Sequence, residues 1–187
     1  VDNSFVRMLP CSTIGSTLCS VTSDWKGILL LSQTTEYALR AMSCLAYMPD
    51  GLVSTAQLAE VTLVPMNYLA KVLQSLAKAE LITGRRGVGG GYQLAKPASE
   101  ITMLDVINAI DPIERIHECP LKLENHSGRL CPLHTRLDQA ASSLIDRFGG
   151  ITLHDMLSED PTTRPLCDTE MTARVDLTLG GSKPASQ

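Results

Sequence analysis

No stretch of this chain reaches the roughly 18 consecutive apolar residues that a membrane-spanning helix needs, so no membrane partner is expected. The first 28 residues, with Asp2 and scattered Ser and Thr, lack the basic start of a secretory signal peptide. No Gly-Lys-Ser or Gly-Lys-Thr occurs, which excludes a phosphate-cradling P-loop. Nor is there a surplus of positive charge to announce nucleic acid: the formal net charge is −4 and the pI about 5.5. These absences fit a cytoplasmic chain, whose six cysteines are then thiols or ligands rather than disulfides. Residues 1–28 carry no helical or strand periodicity and read as a disordered leader or a start assigned too far upstream. Residues 161–187 turn polar and read as a disordered tail; Cys11, Cys19 and Cys167 fall in these end segments.

What is present suits one domain with an appendage: 187 residues, 44% hydrophobic, enough for a core without staples. The charge is unevenly spread. Residues 65–96 hold Lys71, Lys78, Arg85, Arg86 and Lys96 against Glu80 alone, a net of +4, which leaves −8 for the remainder.

Ser32 caps a helix reaching about Met48, with Ala38, Met42 and Leu45 on one stripe and Cys44 on its buried side. Pro49-Asp50-Gly51 ends it. Ser54 with Gln57 forms a capping box for a short helix to about Val61. Pro65 suits the first turn of the next helix, where Leu69, Val72, Leu73 and Leu76 mark the buried face. The opposite stripe, Asn67, Lys71, Gln74 and Lys78, offers long polar groups and no carboxylate.

Leu81–Thr83 and Tyr92–Leu94 read as two short strands around the loop Arg85-Arg-Gly-Val-Gly-Gly-Gly91. A dinucleotide fingerprint would need a glycine at Tyr92 and a helix after it, so this loop is not one. A helix–turn–helix followed by a basic hairpin reads as a winged helix–turn–helix, mostly α with a two-stranded wing, occupying residues 29–112. Its second helix would read the major groove of duplex DNA through Asn67, Lys71 and Gln74. Its wing would meet phosphates through Arg85, Arg86 and the backbone around Gly87, Gly89 and Gly90.

Thr102 and Asp105 box the start of a further helix with Met103, Val106, Ile107 and Ile110, stopped by Asp111-Pro112. From about Leu133 a long helix carries Leu137, Ala140, Ala141, Leu144 and Phe148 on one side. That stripe can pack back on the domain or pair with a second copy, and a homodimer is the favoured expectation. The long helix and a short one capped by Thr152 and Asp155 make up residues 135–160.

Residues 113–134 form the segment between. Two cysteines and three histidines fall between His117 and His134, and thiolate with imidazole suits an iron–sulfur cluster or zinc. Cys131-Pro-Leu-His134 is a chelating pair at a helix opening. Two cysteines are too few for an all-thiolate cluster, and their gap matches no common zinc ribbon. A metal or cluster, a Cys119/Cys131 thiol–disulfide switch and unligated thiols all remain open. A cysteine nucleophile with a histidine base would need a cleft and an oxyanion site, for which the sequence offers no signal. The chain reads as a non-enzyme. A zinc-stabilised protein-interaction module, with the wing on protein, is the rival.

The stretches LSQTTEYALRAM (31–42), TAQLAEVTLVPMNYLAKVLQSLAKAELI (55–82), RRGVGGGYQLAKP (85–97), ITMLDVINAID (101–111) and Cys119–His134 resemble the Rrf2-type winged-helix regulators. That family includes iron–sulfur-cluster regulators and nitric-oxide-sensing repressors, and the likeness spans about residues 30–158. The resemblance implies a homodimeric transcription factor, most simply a repressor, with a long helix crossing between protomers. It implies DNA reading from Pro65, Met66, Asn67, Tyr68 and Lys71 and from the wing. Cluster-binding members use three cysteines and one variable ligand. Cys119 and Cys131 match the outer two cysteines, His134 a histidine ligand, and Glu36 an acidic ligand given by the partner chain. Asn125 stands at the middle cysteine position, with His126 beside it. The resemblance therefore implies a 2Fe–2S cluster on Cys119, Cys131, His134 and Glu36 (or His126) rather than a 4Fe–4S cluster, with zinc or no metal as alternatives.

Overall fold

The computed structural model describes residues 31–48, 51–120 and 129–159; the expectations for 1–28 and 161–187, and for Asn125 and His126, lie outside these. Helix α1 (Gln33–Tyr47) starts where the Ser32 hydroxyl accepts from the Thr35 amide, and it buries Ala38, Ala41, Met42, Cys44 and Leu45. Burial pushes the Cys44 thiol up to about 11, so it remains a protonated core thiol. Helix α2 (Thr55–Thr62) opens with the full capping box, Ser54 with Gln57. Helix α3 (Met66–Lys78) buries Leu69, Val72, Leu73 and Leu76, as the spacing required. Pro65 is its N-cap and not a first-turn residue: the proline carbonyl, in extended backbone, accepts the Tyr68 and Leu69 amides.

The end of α3 turns in a way the sequence did not announce. Glu80 takes φ 58, a left-handed conformation usually given to glycine. The Leu81 amide then donates to the Leu76 carbonyl and the Glu80 amide to that of Ala77, closing the helix with Leu81 buried.

The wing is an antiparallel hairpin of β1 (Ile82–Arg85) and β2 (Gly91–Leu94), paired Ile82 with Leu94 through Arg85 with Gly91. It reaches further into the glycine loop than Leu81–Thr83. Gly84 leaves room for the Tyr92 ring, and Arg85 pairs with Gly91, so Arg85 belongs to the strand. Val53 adds a one-residue third strand, exchanging both amide bonds with Tyr92 at 2.9 and 2.8 Å.

Helix α4 (Met103–Asn108) is shorter than its apolar pattern. Asn108 is its last helical residue, and Ile110 lies in the turn beyond. Helix α5 (Pro132–Gly149) starts one residue before Leu133, because Pro132 has the right φ for a first position and Cys131 serves as N-cap. Helix α6 (Leu153–Ser158) returns to the domain: Thr102 and Thr152 bridge antiparallel, and Leu153 enters the same core as α1, α2 and α3. By contrast, no residue of α5 is buried.

Candidate nucleic-acid interface and metal-ligand cluster

Because Leu69, Val72, Leu73 and Leu76 face inward, the helix period throws Asn67, Lys71, Gln74 and Lys78 outward, and all four are exposed. Pro65, Met66 and Tyr68 are exposed at the leading end. Tyr68 is held edge-on against Tyr37, with ring centroids 6.4 Å apart. Tyr37 in turn accepts a hydrogen bond from Gln33 Nε2 at 2.7 Å and carries the Arg40 guanidinium 5.9 Å from its ring centre. Arg40 also donates to the Thr62 carbonyl, tying α1 to the last residue of α2.

In the wing, Arg85, Arg86, Gly87, Val88 and Gly89 are exposed, and among the described residues none of Lys71, Lys78, Arg85 or Arg86 forms an ion pair. The glycines divide into two kinds. Gly87 and Gly89 have positive φ, 102° and 72°, with open space where a side chain would stand. Gly90 and Gly91 are crowded instead by protein backbone, and the Gly90 amide already donates to the Gly87 carbonyl at 2.9 Å. Sequence reasoning passed over Val88, which stands fully exposed between the two positive-φ glycines.

Around the start of α5 the structure brings Cys119, Cys131 and His134 together. Cys119 Sγ lies 3.7 Å and Cys131 Sγ 3.2 Å from His134 Nδ1, and the three donor atoms all fall within 4.8 Å of one another. Cys131 as N-cap and His134 one turn on share a side of α5. Cys119 comes from the irregular segment before it and is only 6% exposed. That segment is fastened to α5: Arg115 Nε and Nη2 donate to both carboxylate oxygens of Asp138, at 2.6 and 2.7 Å, and Nη1 donates to Ser142. The Ile116 amide donates to Asp138 Oδ1 as well. The Arg115 hydrogen bonds hold the Asp138 carboxyl down to about 2, and the same pairing raises Arg115. Neither residue was singled out from sequence, since no local pattern links positions so far apart.

Glu36 is not in this trio; its carboxylate accepts from Arg40 one turn along α1. The donor set suits the expected chemistry. Metal–sulfur bonds of about 2.3 Å and metal–nitrogen bonds of about 2.0 Å put neighbouring donors on one tetrahedral ion roughly 3.5 Å apart. The two sulfur–nitrogen distances, 3.7 and 3.2 Å, match that spacing. A 2Fe–2S cluster takes a fourth protein ligand, which these three residues leave to be supplied.

The three-helix core, the paired wing and the outward polar face of α3 define a winged helix–turn–helix protein. The sequence model for the Rrf2 family of iron-dependent transcriptional regulators matches residues 31–159, and the chain belongs to that family. Among solved structures, it is similar to IscR of T. potens: 26% identity, TM-score 0.58, covering 70% of this chain and 88% of that one. It is similar also to Staphylococcus aureus CymR, at 29% identity and TM-score 0.54 over 68% and 97% of the two chains. An oxidised form of S. aureus CymR matches at 28% identity, with a TM-score of 0.55 and coverage of 70% and 97%. The global cysteine regulator CymR of B. subtilis shares the fold at 23% identity, TM-score 0.58, over 71% and 99%. Among the described residues no helix is long and apolar enough to cross a membrane.

Proposed function

We propose that this regulator binds duplex DNA as a homodimer through α3 and the wing, with operator affinity set by the state of Cys119, Cys131 and His134. The observation that carries the reading is the outward stripe of α3, exposed and free of carboxylates, beside a wing whose arginines have no ion-pair partner among the described residues. Lys71, Lys78, Arg85 and Arg86 displace counterions from the phosphates, giving a salt dependence of roughly −0.9 in log K per log salt for each phosphate neutralised. Asn67 and Gln74 offer amides for adenine and Lys71 an ammonium for guanine, each about 1–3 kcal/mol of discrimination. Pro65, Met66 and Tyr68 sit at the helix tip, where base edges are met first. Gly87, Gly89 and Gly90 shape the wing so that its backbone can approach a groove.

The donor types suit an iron–sulfur cluster or a single metal ion; when bound, either would supply a reversible cross-link between Cys119 of the linker and Cys131 and His134 of α5. Glu36 of the partner protomer, or His126, is the proposed fourth ligand. Ligation ties the linker to the start of the dimer helix. A preference of only about 1–3 kcal/mol for one placement of the two DNA-reading helices changes occupancy 5–150-fold. A Cys119/Cys131 thiol–disulfide change would act at the same place. The donor spacing also favours a second reading, one four-coordinate zinc in place of a cluster.

Two measurements test this. Binding to operator and random duplex across a salt series gives a steep slope, and Arg86→Ala weakens both duplexes alike; a slope near zero removes the phosphate contacts. Iron, sulfide and zinc analysis of protein purified without oxygen separates cluster from zinc, and protein that takes up neither after reconstitution removes the metal.

A further inference from the structure

The approach of Cys119 to its two companions needs a physical cause. Residues 112–117, just before it, have no regular secondary structure. The segment runs antiparallel along α5. Arg115 stands opposite Asp138 and Ser142, and four residues later Cys119 stands opposite His134. Asp138 is one helical turn beyond His134, about 6 Å along the axis.

Most surface ion pairs order little, because one exposed contact rarely outweighs the freedom of two long side chains. This one differs in geometry. The guanidinium engages both carboxylate oxygens, its third nitrogen reaches a hydroxyl, and the same carboxylate also takes the amide of Ile116. Side chain and backbone of the linker are gripped together, which a bidentate fork can do and a point charge cannot.

We infer that Arg115 is a positioning residue for the metal-ligand cluster: by gripping Asp138 it fixes Cys119 against Cys131 and His134 and so sets how tightly a metal is held. This rests on the reading of those three side chains as metal ligands. The clamp acts before any metal arrives, by removing the freedom that the linker would otherwise lose on ligation.

The test is a titration of the full-length, reduced chain with Co2+ alone, followed by its visible ligand-field and thiolate charge-transfer bands. Arg115→Ala and Asp138→Ala should each weaken Co2+ binding about 10–100-fold, the usual effect of removing an outer support of a ligand. The shape of the saturated spectrum should stay unchanged, because the ligands are the same. Arg115→Lys, which keeps charge without the fork, should fall between. The exchanged pair Arg115→Asp with Asp138→Arg should recover part of the loss, which general misfolding would not allow. Amide hydrogen exchange at Ile116 in the metal-free chain reports whether the clamp forms. Protected Ile116 with equal Co2+ affinity in wild type and Arg115→Ala overturns the positioning role and leaves the ligand assignment standing. Protected Ile116 with no thiolate–Co2+ band in wild type overturns the ligand assignment, and the positioning role with it.

Discussion

Gly91 backs directly onto the carbonyl of Val53: a Cβ added to the glycine would lie 2.5 Å from that oxygen. This contact joins the wing to the chain ahead of α2, because the neighbouring Tyr92 exchanges both of its backbone bonds with Val53. The obstacle is backbone, which cannot swing aside as a side chain would. Gly91→Ala should therefore separate the wing from its third strand and destabilise the fold by about 1–3 kcal/mol. Urea unfolding measures it. A variant as stable as wild type would mean that the Val53 pairing does not hold the wing.

Glu80 closes α3 in the left-handed conformation, which costs a side-chain-bearing residue roughly 1–2 kcal/mol over glycine. Glycine returns part of that through its freer unfolded chain. Glu80 is exposed, so nothing buried is lost with it. Glu80→Gly should raise stability by about 0.5–1 kcal/mol without moving the wing, read as a higher urea midpoint at constant slope. A lower midpoint would show that this turn is not left-handed in solution.

Much of this architecture is legible locally. The three capping boxes, Ser54 with Gln57, Thr102 with Asp105 and Thr152 with Asp155, each lie within four residues, and the buried face of α3 repeats at the helix period. Thiol and imidazole chemistry pointed to the segment and to the Cys131 and His134 pair, and the family resemblance joined Cys119 to them. What escaped was either long-range or contrary to residue preference. Val53 pairs across the sequence with Tyr92 as a single residue, too short for any strand pattern. Glu80 does the work of a glycine. Arg115 finds Asp138 only because the linker doubles back along α5, and charge spacing in sequence cannot show that. Glu36, which only the family resemblance offered as a ligand, lies on α1 against Arg40 and outside the Cys119, Cys131 and His134 group.

The Arg115 pairing makes a pH prediction. Asp138 is depressed from 3.8 to about 2, chiefly by the guanidinium hydrogen bonds. A carboxyl lowered on folding stabilises above its unfolded pKa and loses that contribution as pH falls through the folded value. The clamp is therefore complete from neutral pH down to about 4, the unfolded range for aspartate, and is lost as the pH falls on toward 2. Carbon-detected NMR of the Asp138 carboxyl should give a midpoint near that lower value, and Arg115→Ala should return it toward about 3.9. A wild-type midpoint already near about 3.9 would mean that the pair is not formed in water.

Helix α5 poses the last question. It has 18 residues and buries none of them, although Leu137, Leu144 and Phe148 recur on one side, and Leu133 and Leu137 are 64% and 50% exposed. In proteins a helix owes most of its stability to packing of its apolar stripe rather than to propensity. Here α4 meets it near its end, where Leu104 approaches Gly149. A second copy of the same helix would cover the stripe with self-complementary contacts, as two-fold symmetry requires. Leu137→Asp places a charge in the middle of that contact. Removing a central interface anchor costs about 2 kcal/mol or more, so the dimer dissociation constant should rise about 30-fold or further. Sedimentation equilibrium measures this directly. Operator affinity should fall with it, because the two half-sites would then be bound by separate chains, while affinity for a single half-site should stay the same. A wild-type chain that sediments as a monomer at all concentrations would remove the dimer and leave α5 without a partner of its own kind.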